Sequence, residues 1–352
     1  MEEKTDILGL LDMMPRPGFC VKEHIICKVN PAAGQFLIES GTDVRSLLAA
    51  GSEVLETLDD GCLYLMLRTP AGDLSATVTV MGDYQVFLLE AQEQDAAFQT
   101  MALVSRELRK PLDSVMRLAD QLLADESLGA SDQAAQLNKG LYQLLRIVGN
   151  LSYPAGNPSV QTTRNIRSIV DEVMEKALHQ LDTNRVQLSY TGLNRDIYCL
   201  VDETLLERAL LNLLSNAVKF TPEGGHVDVS FALKGNQLQL QVSDSGSGIA
   251  EQIRRDLFYR YLRQPGIEDS RFGLGLGMVL VRSCAAKHGG TVLVDHPKNG
   301  GTRITMTLAI RQKNSDILHS PLPQWYDYTG GWDHTLVELS DCLDSSCYGD
   351  KR

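Results

Sequence analysis

A chain of 352 residues is long enough for two or three domains, each with its own core, and its 43% hydrophobic but only 6% aromatic content reads as globular and helix-rich. A formal net charge of -12 excludes sequence-independent binding to nucleic acid or anionic lipid, which calls for a basic surface. There is no apolar run of the roughly 18 residues that cross a bilayer, no signal-peptide pattern after Met1, and no Cys-x-x-Cys among Cys20, Cys27, Cys62, Cys199, Cys284, Cys342 and Cys347, so the expectation is a reducing, cytoplasmic setting without structural zinc.

Residues 1–92 read as a small α+β domain. Strand-like runs begin at Gly18-Phe19-Cys20-Val21 and His24–Val29, and recur at Cys62–Leu67, Ser75–Val80 and Tyr84–Leu89, with a turn feeding a helix at Asn30–Leu37. This order, with its Val29-Asn30-Pro31-Ala32-Ala33 step after a strand, resembles a PAS domain. A small domain that only mediates dimer contacts fits the same pattern. Residues 93–153 turn helical. Leu103, Leu108, Leu112, Val115, Leu118, Ala119 and Leu122 form one apolar stripe, interrupted by Pro111, which should kink the helix or weaken one turn. Ala134, Leu137, Leu141, Leu144, Leu145, Val148 and Leu151 form another after the loop at 124–131. A hairpin cannot cover both stripes by itself, so a dimeric four-helix bundle is expected.

Pro154-Ala155-Gly156-Asn157-Pro158 reads as a linker, and residues 154–312 as an α/β domain of two layers, a sheet with helices on one side. The periodicity predicts helices over 166–181, 202–220 and 275–288. Strands are predicted near 186–190, 197–201, 227–233, 238–244, 291–294 and 302–309. Residues 313–352 form a polar tail with a short helix predicted around His334–Leu343, in which Trp325, Tyr326 and Trp332 could dock on another surface.

Three motifs carry chemistry. In Asn212-Leu213-Leu214-Ser215-Asn216-Ala217-Val218-Lys219 the two asparagines are four apart and Lys219 follows on the same helix face. Amide oxygens are hard ligands that suit Mg2+, and an ammonium suits the phosphates the metal bridges; a solvated polar stripe is the bland alternative. Asp244-Ser245-Gly246-Ser247-Gly248 puts a carboxylate at a strand end beside backbone that a planar ligand can approach, and a carboxylate accepts from an exocyclic amine. Gly273-Leu274-Gly275-Leu276-Gly277 leads into a helix whose N-terminal N–H groups suit phosphate. Gly300-Gly301-Thr302 adds a tight turn before the last strand.

In this order the motifs resemble the ATP-binding domain shared by sensor histidine kinases, gyrases and heat-shock chaperones, the GHKL or Bergerat fold. The resemblance implies ATP and Mg2+ as cofactors. Asn212 and Asn216 correspond to the N box, Asn216 foremost as the Mg2+ contact, with Lys219 toward phosphate. Asp244, Gly246 and Gly248 correspond to the first glycine box, Phe258 to the F box, Gly273 and Gly275 to the second glycine box, and Thr302 joins the nucleotide-binding set. Gyrase-like and chaperone-like members carry a water-activating Glu where Asn212 stands, so the kinase branch fits better.

Within that branch Ser105-Arg106-Glu107-Leu108-Arg109-Lys110-Pro111-Leu112 resembles the H box of histidine kinases, with Arg106 at the place of the phosphoacceptor histidine. A guanidinium stays protonated and has no lone pair for attack on phosphorus, and Glu107, which assists the imidazole in the family, has no imidazole to serve. Arg271 also departs from the family, which carries a glycine there. The expectation is an ATP–Mg-binding signalling protein of the histidine-kinase family, acting as a homodimer, as a heterodimer with another kinase or with a response regulator, in which conventional autophosphorylation is impaired or lost. The alternatives are an active ATP:protein-histidine phosphotransferase acting on an unconventional or partner histidine, and a nucleotide-independent scaffold.

Overall fold

The computed structural model describes residues 7–90, 95–123, 132–152, 161–181, 185–250, 276–297, 300–312 and 328–349. The N-terminal unit contains α1 (Ile7–Met13), β1 (Gly18–Lys22), β2 (Ile25–Val29), α2 (Ser52–Glu56), β3 (Cys62–Thr69), β4 (Gly72–Met81) and β5 (Tyr84–Leu89), its strands antiparallel in the order β2-β1-β5-β4-β3. Asn30 explains the Asn-Pro step. Its buried side chain accepts from Gly18 N and Ala33 N, each at 3.0 Å, and donates to Arg16 O at 2.7 Å. Pro31 then opens a short 3-10 helix, where its missing N–H costs nothing.

α3 (Asp95–Leu123) and α4 (Asp132–Ser152) form the hairpin, and α3 continues on both sides of Pro111. Met116, Ala119, Leu141, Tyr142 and Leu145 point into the main core. Val104, Leu108, Val115, Leu118, Leu137, Leu144 and Ile147 stay between 39% and 60% exposed along the opposite side. The stripes therefore divide, part turned inward onto the chain itself and part left uncovered.

The third unit begins with β6 (Thr162–Asn165), which the polar run Thr-Thr-Arg-Asn did not lead one to expect, and α5 (Ile166–Gln180). β7 (Gln187–Thr191), β8 (Tyr198–Val201), α6 (Glu203–Phe220), β9 (His226–Lys234) and β10 (Gln237–Asp244) follow. α7 (Leu276–Lys287), β11 (Val292–Asp295) and β12 (Thr302–Ala309) complete it. Its main sheet runs β11-β12-β10-β9-β7, antiparallel except for the parallel β7–β9 pair, while β6 pairs only with β8. α5, α6 and α7 cover the sheet, giving a mixed α+β protein with a two-layer sandwich. Apart from β6, these elements start and stop within about two residues of the expected places.

The two sheets are one. β3 pairs antiparallel with β11, Cys62 opposite Val294, Leu63 opposite Leu293 and Tyr64 opposite Val292, so ten strands form a continuous surface. Beside this seam Arg282 of α7 makes an ion pair with Glu90, just past β5, and lies over the Tyr64 ring at 5.6 Å. No helix among the described residues is long and apolar enough to cross a membrane. The C-terminal segment is ordered around α8 (His334–Glu338), capped by Asp333 and followed by tight turns through Leu343. Trp325 and Tyr326 lie outside the described residues; Trp332 packs edge-on against Tyr142 of the hairpin at 5.7 Å.

Candidate functional site

The site is organised on α6. Asp202 caps it, its carboxylate accepting from Leu205 N at 3.1 Å and pairing with Lys287 at 3.1 Å. Leu206, Leu210, Leu213, Leu214, Ala217 and Val218 bury one broad face, and Leu205, Ala209 and Leu211 are buried as well. The helix is therefore enclosed on most sides, and each polar residue on it is placed by packing.

Both flanking glycine motifs reach this helix. At its C-terminal end, Gly246 lies so close that a Cβ there would sit 2.5 Å from Phe220 O. Gly277, in the first turn of α7, leaves only 2.7 Å between a would-be Cβ and Asn212 Oδ1. Any side chain at either position would push the motif away from α6. The glycines thus set approach distance, as a nucleotide cradle requires.

Asp244 ends β10 half-buried. Its Oδ1 accepts from Gly246 N at 2.8 Å and Thr302 N at 3.2 Å, so Thr302 positions the carboxylate. Burial raises its pKa above the ordinary carboxylate value, partly offset by those two hydrogen bonds. Gly248 adopts φ +75° next to the His296 ring, and His296 is held by Gly301 O at 2.8 Å. Phe258, Gly273 and Gly275 lie outside the described residues, as does the side chain of Arg106; Glu107 is exposed.

The polar residues of α6 diverge in their partners. Asn216 and Lys219 are half-buried, whereas Asn212 is 0% exposed. Asn212 Oδ1 accepts from Arg146 of α4 at 2.9 Å, and its Nδ2 donates to Arg208 O at 2.9 Å and to Glu338 of α8 at 3.0 Å. Lys219 pairs with Asp341 at 3.3 Å. In this arrangement Asn212 and Lys219 are held by the hairpin and the C-terminal segment, while Asn216 makes no such contact among the described residues. Arg146, Arg208, Glu338 and Asp341 were not anticipated from sequence. Each looks like an ordinary surface charge until the fold brings them together.

Residues 201–312 match the family model of the histidine kinase-, DNA gyrase B- and HSP90-like ATPases. Among curated proteins, the chain is 29% identical over 323 residues to the sensor-like histidine kinase SenX3 of Mycolicibacterium smegmatis, covering 85% of this chain and 79% of that one. It is 27% identical over 270 residues to the sensor histidine kinase WalK of Bacillus subtilis, covering 72% of this chain and 43% of WalK. It is 25% identical over 224 residues to the sensor protein KdpD of Clostridium acetobutylicum, covering 60% of this chain and 25% of KdpD. The chain thus spans between a quarter and under half the length of WalK and KdpD. Among solved structures, the mycobacterial sensor histidine kinase MprB is 29% identical, with 44% of this chain and 100% of that chain covered at a TM-score of 0.36. Residues 201–312 thus form a histidine kinase-, DNA gyrase B- and HSP90-like ATPase domain, and the chain around it is similar in sequence to two-component sensor histidine kinases.

Proposed function

We propose that this chain binds Mg–ATP on the α6 face and relays a signal from a PAS-like N-terminal domain, without phosphorylating its own hairpin in the conventional way. The observation that carries the nucleotide reading is the convergence of both glycine motifs on α6, at Phe220 and at Asn212. Asp244, fixed by Gly246 and Thr302, would accept from the adenine amine; Gly246 and Gly248 would let the ring approach; Asn216 would meet the metal; Lys219 would face phosphate. The donor set fits the group: a carboxylate at a backbone cradle, an amide oxygen and an ammonium. When bound, Mg2+ would neutralise charge on the phosphates.

The uncovered stripes on α3 and α4 support a two-fold partner, so the dimer is a four-helix bundle of two hairpins, from two copies or from this chain and another kinase. A response regulator is the downstream partner expected of the family. Arg106 carries the loss of autophosphorylation, since a guanidinium cannot act as the nucleophile.

Melting in the presence of Mg–ATP tests the first part. At 100 times Kd, ligand linkage stabilises by about 2.7 kcal/mol, and Asn216→Ala or Asp244→Ala should abolish the shift. An unshifted parent protein refutes nucleotide binding. Incubation with γ-labelled ATP tests the second part. Acid-labile label on the parent refutes the loss of autophosphorylation; label that appears only in Arg106→His supports it.

A further inference from the structure

Glu338 is a carboxylate with 0% exposure on a helix of five residues near the C-terminal end of the described residues. Cations from two other units meet it there, offsetting the cost of its burial. Arg208 of α6 donates to it at 2.9 Å, Arg146 of α4 pairs with it at 3.3 Å, and Asn212 donates at 3.0 Å. Asp341, one turn further, pairs with Arg146 at 2.8 Å and with Lys219 at 3.3 Å. Arg208 is itself tied to the hairpin through Asn150 at 2.6 Å and lies over the Tyr328 ring at 4.0 Å. The same segment fastens along α4, where Asn138 donates to Tyr348 O at 2.9 Å and Lys139 to Leu343 O at 2.6 Å. Val337, Leu339, Leu343 and Tyr348 are buried beneath it.

We propose that residues 328–349 are an intramolecular clamp that joins α6 to the hairpin and competes with Mg–ATP for Asn212 and Lys219. The inference rests on the nucleotide reading of α6 and adds its regulation. Competition follows from shared partners, since Asn212 is fully buried and Lys219 is already paired. Asn212 Oδ1 is taken by Arg146, its amide hydrogens go to Glu338 and Arg208 O, and the Lys219 ammonium is paired with Asp341. A metal-bound triphosphate drawing on Lys219 would withdraw it from Asp341, and motion of Asn212 would leave Glu338 buried with one donor fewer. Nucleotide occupancy and clamp docking therefore carry a coupling free energy of unfavourable sign. Release would also remove the Glu338 and Asp341 bridges between α4 and α6, so the hairpin senses the nucleotide.

The two tryptophans of the chain, Trp325 and Trp332, both belong to the C-terminal region. In full-length Trp325→Phe, emission reports Trp332 alone, which is packed on Tyr142. Titration with Mg–ATP is expected to red-shift that emission and increase its quenching by acrylamide. In full-length Glu338→Gln/Asp341→Asn, calorimetric affinity for Mg–ATP is expected to rise about tenfold, within the usual range for coupled sites. Equal affinity in parent and double variant, with Trp332 emission unmoved at saturation, overturns the clamp alone. Binding seen only in the double variant supports it in its strongest form. Absence of binding in both overturns the nucleotide reading and the clamp with it. Because Trp325→Phe alters none of the residues named in the clamp, the fluorescence result stands even if the double variant is poorly folded.

Discussion

Replacing Glu90 by Ala tests whether the N-terminal unit and the ATPase-type domain are joined through more than the sheet. Arg282 has a side chain only 3% exposed, and Glu90, 17% exposed, is its carboxylate partner. Ser75 Oγ also donates to Glu90, at 2.7 Å. Truncation leaves a guanidinium buried without its counter-charge, held among the described residues by the Tyr64 ring at 5.6 Å. Removing one member of a fully buried pair costs about 3–5 kcal/mol. Since Glu90 keeps some contact with water, and a charged hydrogen bond is worth about 1.5–3 kcal/mol, a loss of about 2–3 kcal/mol is expected. Removing both charges in Glu90→Ala/Arg282→Met should restore most of it, because the penalty lies in the stranded cation and not in the missing attraction. Urea unfolding followed by circular dichroism measures all three proteins. The single variant should also split unfolding into two steps as the units separate. A change below about 0.5 kcal/mol, the level of an ordinary surface substitution, refutes the junction as a source of coupling.

His288 should make stability fall in mild acid. Its Nε2 accepts from Asp202 N at 3.0 Å while Nδ1 faces Cys284 O at 2.7 Å, so the ring is neutral, and burial holds its pKa below the ordinary 6.5. Its contribution is whole above pH 6.5 and lost as pH falls toward the depressed value; melting temperature against pH should slope less in His288→Gln. Two adjacent glycines separate strain from collision. Gly300→Ala, at φ +88° with open space, should cost about 1–2 kcal/mol. Gly301→Ala, at φ +85° with a Cβ 1.8 Å from Asp244 O, should cost more than that and abolish the ATP-dependent melting shift. Asp244 keeps its proton to a higher pH than a free carboxyl, so calorimetric affinity for Mg–ATP should weaken on acidification before an ordinary aspartate would titrate, and Asp244→Asn should flatten that dependence.

What could be read in advance was whatever the local pattern encodes. The i, i+3, i+4 spacing of Leu206, Leu210, Leu213 and Ala217 places α6 correctly, and alternation places β9, β10 and β12, because one buried face imposes its period on the sequence. The approach of Gly246 and Gly277 to α6 is likewise foreshadowed by the absence of a side chain. Partnerships across the chain leave no such trace. Arg146, Asn212 and Glu338 are separated by 66 and 126 residues, and nothing near Glu338 distinguishes it from a solvated acid. The same holds for β3 and β11, which each look like strands but do not advertise each other. Asn212 shows the cost: its type and spacing suggest metal binding, whereas its surroundings are an arginine and a glutamate.

The β3–β11 seam has a consequence that comes from parity. Cys62, Tyr64, Val292 and Val294 face the core beneath α5 to α7, whereas Leu63 belongs to the N-terminal core and Leu293 packs against it. Sliding one strand past the other by a single residue would turn every side chain of the moved strand toward the wrong core. The junction therefore has no graded settings. Small adjustments by one residue are therefore closed to it, and the pairing of β3 with β11 holds both cores in one fixed relation.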